Sequence, residues 1–115
     1  MGRHMFPLPD LVIANGQTTS NTINDYLAGD GFRDADSITI HAPDTLPETV
    51  TVNVDSGPAG APVNFNALQR NGADVTIPVG KSVTISGLSF RGLQLVAGGA
   101  VAGTRTFKVT KDVFV

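Results

Sequence analysis

Small polar and β-branched residues alternate along the last third of the chain, most clearly from Asp74 to Thr110. Val75-Thr76-Ile77 is followed by Pro78-Val79-Gly80-Lys81, then by Ser82-Val83-Thr84-Ile85-Ser86 and Gly87. In the second of these runs Val83 and Ile85 fall on one side of a strand and Ser82, Thr84 and Ser86 on the other. After Gly87, the stretch from Phe90 to Val96 and then Thr106-Phe107-Lys108-Val109-Thr110 continue the pattern, separated by the Gly98-Gly99 corner. Ser37 to His41 and Thr49 to Val54 alternate equally well, with Ile38, Ile40 and three valines on the inward faces. They read as a central pair of strands.

The remaining stretches are less regular. Asp10 to Ala14 reads as a strand, Asn15-Gly16 as a tight turn, and Gln17 to Ile23 as the returning strand of a first hairpin. Asn71-Gly72 marks another tight turn. Asn24 to Asp36 is a loop with room for one helical turn at Asp25 to Ala28. Val63 to Leu68 is a further strand, and Asp55 to Pro62 is so rich in Gly and Pro that it reads as a mobile loop. Two prolines in Phe6-Pro7-Leu8-Pro9 remove backbone donors, so residues 6–9 read as an N-terminal arm. Residues 1–5, Met1-Gly2-Arg3-His4-Met5, resemble an expression-vector remnant. About eight short strands with closely spaced turn signals predict an all-β, single-domain antiparallel β-sandwich over 10–115, jelly-roll-like, with a small closed barrel as the alternative. Without a long amphipathic helix, sheet must pack on sheet.

Composition sharpens this picture mainly by exclusion. With Gly 13, Pro 7, no Trp and no Cys in 115 residues, the core rests on Val, Ile, Leu and a few Phe, and neither disulfides nor thiolate metal sites are available. A net charge of −2 gives no general attraction to a phosphate backbone, so nucleic acid is not an expected partner. No apolar run approaches the length of a membrane-spanning helix, and a membrane partner is not expected either.

Candidate chemistry is sparse. A hydrolytic triad would have to use His41, since His4 lies in the presumed vector remnant, and no strained nucleophile turn accompanies it. Asp25, Asp30, Asp34 and Asp36 gather carboxylates in one loop, but their spacing does not match a calcium loop, and Arg33 competes for them. Gly80-Lys81-Ser82 lacks the upstream glycine and the following helix of a phosphate loop. Tyr26 is the single Tyr available for sugar stacking. No catalytic residue, metal ligand or cofactor is assigned. Arg91 and Arg105 each stand at the entry to a strand, placed either to pin a corner by pairing with a loop carboxylate or to contact a partner. The tail Val113-Phe114-Val115 could be a last core strand or a subunit contact.

Three pieces of the chain together resemble small virion-associated proteins of tailed bacteriophages and prophages. They are Leu11 to Ser20; Ala35 to Ile40 with Ala42-Pro43 and Val50 to Val54; and Asp74 to Ile77 with Gly80-Lys81, Phe90 to Val96 and Arg105 to Thr110. The chain departs from the group's pattern at Gly98 to Gly103, where no acidic residue precedes Arg105. The resemblance implies a non-enzymatic virion structural protein, first a capsid decoration (cement) protein that binds and stabilises the assembled head. A head or tail surface module binding a host receptor or glycan is the alternative. It further implies the major capsid protein or other virion proteins as partners, a homo-oligomer with a trimer favoured, and location in the virion after assembly in the host bacterial cytoplasm. Phe6, Leu8, Arg91, Arg105 and Phe114 are then the candidate partner-contact residues.

Overall fold

The computed structural model describes residues 3–25, 31–58 and 60–114. Among the described residues eleven strands run in chain order: β1 (Arg3–Ile13), β2 (Ile23–Asn24), β3 (Ser37–His41), β4 (Val50–Asp55), β5 (Asn66–Ala67), β6 (Gln69–Arg70), β7 (Ala73–Asp74), β8 (Thr76–Ile77), β9 (Ser82–Ser86), β10 (Gly92–Ala97) and β11 (Arg105–Phe114). The described residues contain no helix, and so none long and apolar enough to cross a membrane. A front sheet has the order β1-β11-β3-β9 and a back sheet the order β2-β10-β4-β5, with β8 also paired to β4. Every pairing between strands is antiparallel. The result is an all-β sandwich of two packed antiparallel sheets.

Alternation explains what lies between the sheets. Ile38, Ile40, Phe107 and Val109 of the front sheet and Val50, Val52, Leu93 and Leu95 of the back sheet are all buried in one core. Phe107, fully buried, contributes about 1.5–3 kcal/mol through its removal from water. Phe32 and Phe90 close one end, their rings tilted at 54° with centroids 5.5 Å apart.

The periodic pattern identified faces correctly but not neighbours. Strands β3 and β4, expected as a pair, lie in opposite sheets, and none of β8, β9, β10 and β11 pairs with the next strand in sequence. Asn15-Gly16 does turn, with Gln17 N–H donating to the Ala14 carbonyl at 2.9 Å. The expected hairpin does not follow. Instead the chain crosses to the back sheet, where Ser20 N–H donates to Leu95 O at 2.9 Å and Ala97 N–H to Thr18 O at 2.7 Å. The Asn21 side chain takes the place of the missing strand on β1: it accepts from Val12 N–H at 2.7 Å and donates to Asp10 O at 3.0 Å. On the opposite seam Arg70, beside the Asn71-Gly72 turn, donates to Ser86 O of β9 at 2.9 Å. Arg70 belongs to the separate two-stranded β6–β7 sheet, so its bond ties that hairpin to the front sheet.

The N-terminal arm is also corrected. Residues 6–9 and part of the presumed vector remnant belong to β1, which pairs with β11 from Arg3↔Phe114 onward. Proline is tolerated here because β1 is an edge strand. The register shifts between Leu8↔Val109 and Leu11↔Phe107, so Pro9 and Asp10 together oppose Lys108. This bulge changes the phase by one residue and lets Leu8 and Leu11, three positions apart, both enter the core. Val113 is buried in β11, in accord with the core-strand reading of the tail, while Val115 lies outside the described residues.

Candidate interaction surface

A polar cluster lies where β4 ends and β10 begins. Val50, Val52 and Val54 point inward, so Asp55 emerges on the outer side of β4, directly opposite Gly92. Asp55 is nonetheless only 3 % exposed, because the loop after it folds back over it. Its carboxylate accepts from Gly57 N–H at 3.0 Å and from Arg91 Nε at 2.9 Å. The Gly57 N–H, the Arg91 guanidinium and the Asn64 backbone hold the Asp55 carboxyl below the usual carboxylate range, against the opposing effect of desolvation.

Arg91 then ties down the loop itself. Nη1 donates to Pro58 O at 2.7 Å, and Nη2 to Ala61 O at 2.8 Å and Pro62 O at 3.1 Å. A planar guanidinium suits this task because its donors diverge in a fixed fork that can serve a carboxylate and several carbonyls together. Gly57 lets the loop pass close at the crossing point: a Cβ there would lie 3.2 Å from both Arg91 Nη2 and Asp55 Oδ1, so the clamp would have to give by a few tenths of an ångström. The loop expected to be mobile is therefore fastened at Gly57, Pro58, Ala61 and Pro62. From Ser56 to Gln69 the sequence carries no charge, and Val63, at 73 % exposure, stands clear of the surface.

Two concavities flank this clamp. One of about 570 Å³ lies between the loop, the Leu88 to Arg91 segment and the Asp25/Arg33 pair. The other, of about 310 Å³, is bordered by Thr22, Asn24, Asp55, Val63, Phe65 and Arg91. Phe65 roofs the outer face of β10 at Gly92, where an added Cβ would meet its ring at 3.1 Å.

Two further clamps close the ends of β11. Its inward phase runs Arg105, Phe107, Val109, Lys111 and Val113, so a cation stands at each end of the apolar stretch. Arg105 meets Glu48 through two bonds, Nε to Oε1 at 2.9 Å and Nη2 to Oε2 at 3.3 Å. These bonds lower the Glu48 pKa and raise that of Arg105. Lys111, 7 % exposed, donates to Gly31 O and Asp34 Oδ1, each at 2.9 Å, and lowers the Asp34 pKa.

The sequence-based candidates separate accordingly. Arg91 and Arg105 pin corners within the chain, in accord with the corner-fixing reading, and Leu8 is buried at 5 % exposure. Phe6 remains outside, 41 % exposed beside Pro7, Asp34 and Lys111. Phe114 belongs to β11, and its side chain lies outside the described residues, as do Tyr26 and Asp30. Asp25 faces Arg33 at 4.0 Å and Asp34 pairs with Lys111. Among the described residues no three acidic or His side chains converge as a metal site. His41 Nδ1 lies 2.7 Å from Ser82 Oγ, its direct cross-strand neighbour, on the open outer face of the front sheet and in the same row as Lys108.

Sequence reasoning missed Asp55, Glu48, Lys111 and Asn21. Two of these carried a readable signal: Asp55-Ser56-Gly57 is the pattern of a side-chain-capped turn, and Lys111 falls in phase with Phe107 and Val109. Glu48 and Asn21 act across the fold and carried none. Compared with protein-family models, curated proteins and solved structures, the chain gives no match.

Proposed function

We propose that this chain is a non-enzymatic structural protein of a tailed-bacteriophage virion, a decoration (cement) protein that binds the assembled head and stabilises it. The partners in this reading are the major capsid protein or other virion proteins, and the working unit is a homo-oligomer, with a trimer favoured at capsid threefold positions. The observation that supports it is the clamped loop. Arg91 directs donors to Asp55, Pro58, Ala61 and Pro62, and so holds an uncharged, outward-facing segment in one conformation. A preordered loop loses little further entropy on docking, and an uncharged one has few groups to desolvate. The resemblance to phage virion proteins supplies the assembly against which such a surface would work.

The test is to mix the purified chain with phage heads that lack it and to locate added density by electron microscopy. Added density at symmetric capsid positions, with better survival of heat or low salt, is the expected result. Heads that stay bare and no more resistant at saturating protein would refute the assignment.

A further inference from the structure

On the back sheet, Asn24 lies directly opposite Gly92, and Gly92 directly opposite Asp55. The middle of this row has no side chain. Phe65 covers that gap, its ring 3.1 Å from where a Cβ on Gly92 would stand, and a groove of about 310 Å³ lies alongside, bordered by Thr22, Asn24, Asp55, Val63, Phe65 and Arg91. This lies at the small end of the roughly 300–1,000 Å³ typical of ligand sites, enough for one compact ring-sized unit with the rest of a longer molecule in solvent.

The lining says which chemistry suits it. Phe65 and Val63 supply an aromatic and an aliphatic wall, while Thr22 and Asn24 supply a hydroxyl and a carboxamide at the rim. Neither of those two side chains makes a hydrogen bond within the described residues, and a hydroxyl and an amide can each both donate and accept. Asp55 and Arg91 also border the groove, but they neutralise one another and are bonded to the loop, so the site presents no net charge to an ion. An uncharged ring with one C–H-rich face and a rim of hydroxyls matches every part of this lining.

We propose that this groove binds one neutral pyranose unit of a glycan, with Phe65 against its apolar face and Thr22 and Asn24 on its hydroxyls. The site is independent of the head-stabilising reading: its argument rests on the groove lining alone.

The test is to titrate the ¹⁵N-labelled full chain with the methyl glycosides of glucose, galactose, mannose and N-acetylglucosamine, and separately with glucuronic and sialic acids. Saturable shifts at millimolar concentration with at least one neutral probe, centred on residues 22–24, 63–65 and 92, are expected. Phe65→Leu, which keeps an apolar seat over Gly92, should weaken binding by roughly tenfold, and Thr22→Val at the exposed rim by a few-fold. Phe6→Leu, on β1, should leave it unchanged. No saturable shift with any neutral probe, shifts centred elsewhere, or binding of the acidic sugars alone would overturn the proposal. So would unchanged affinity in both Phe65→Leu and Thr22→Val. If Phe65→Leu disturbs the amide spectrum as a whole, Thr22→Val decides alone.

Discussion

On the outside of the front sheet, Thr39 and Thr84 bond across strands at 3.0 Å, Ser82 bonds His41, and Lys108 pairs with Asp10 at 2.9 Å. On the outside of the back sheet, Asn24, Asn53 and Gln94 carry carboxamides that make no side-chain hydrogen bond among the described residues, around a strand position that has no side chain at all. Both faces are polar, and composition alone would rate them alike. They differ in whether the polar groups already have partners. A face whose groups are paired gains little from a ligand, whereas amides without side-chain partners can exchange water for ligand at the cost of some rotamer freedom.

The two faces share one core, so the strongest perturbation should abolish both. Phe107→Ala is expected to cost about 3–5 kcal/mol in urea denaturation, because the fully buried ring leaves a cavity that rigid sheets cannot close.

Arg91→Met should separate the faces. It leaves Asp55 buried without its cation and frees the carbonyls of Pro58, Ala61 and Pro62. The expected outcome is a lowered Tm with new proteolytic cleavage between residues 56 and 65, and unchanged amide shifts in β3 and β9. Lys111→Met should cost less than Arg91→Met, since its carboxylate partner Asp34 is 62 % exposed and stays solvated.

Gly92→Val would push a branched side chain into the Phe65 ring and displace that wall of the back groove. A loss of about 1–3 kcal/mol by chemical denaturation, with spectral change confined to the back sheet, is expected.

Acid tests the same clamps without mutation. The carboxyl groups of Asp55, Glu48 and Asp34 have folded-state pKa values below their ordinary ones. Their stabilisation is therefore complete above about pH 4–5, where the unfolded chain is also ionised, and is lost as pH falls through the depressed values. The stability difference between wild type and Arg91→Met should accordingly narrow in acid, as measured by denaturation across a pH series. The smallest effect is expected from Thr39→Val on the paired face, less than about 1 kcal/mol for one cross-strand contact.

Much of the fold was legible because alternation reports directly on which side of a strand is dry. It located β3, β4, β9, β10 and β11, and Asn71-Gly72 gave the β6–β7 hairpin with φ of 55° and 79° at its two residues. Pairing was not legible, since period two is silent about which neighbour a strand chooses. Asn15-Gly16 makes a turn in either topology, and Asn21 and the β10 backbone then draw the chain across to the other sheet. The clamps were half legible. Arg91 and Arg105 stood out as strand-entry arginines, but the loop that Arg91 fastens looked mobile because its Gly and Pro content hid the carbonyl row they present. The groove beside Phe65 depends on Gly92 facing Asn24 across strands far apart in sequence, which no local pattern encodes.

The central claim, that Arg91 holds the uncharged loop rigid for docking, is tested most directly by ¹⁵N relaxation of the amides from Ser56 to Phe65. Order parameters near about 0.85, equal to those of β4 and β10 and falling in Arg91→Met, are the expected result. Values below about 0.6 in the wild-type chain would contradict it.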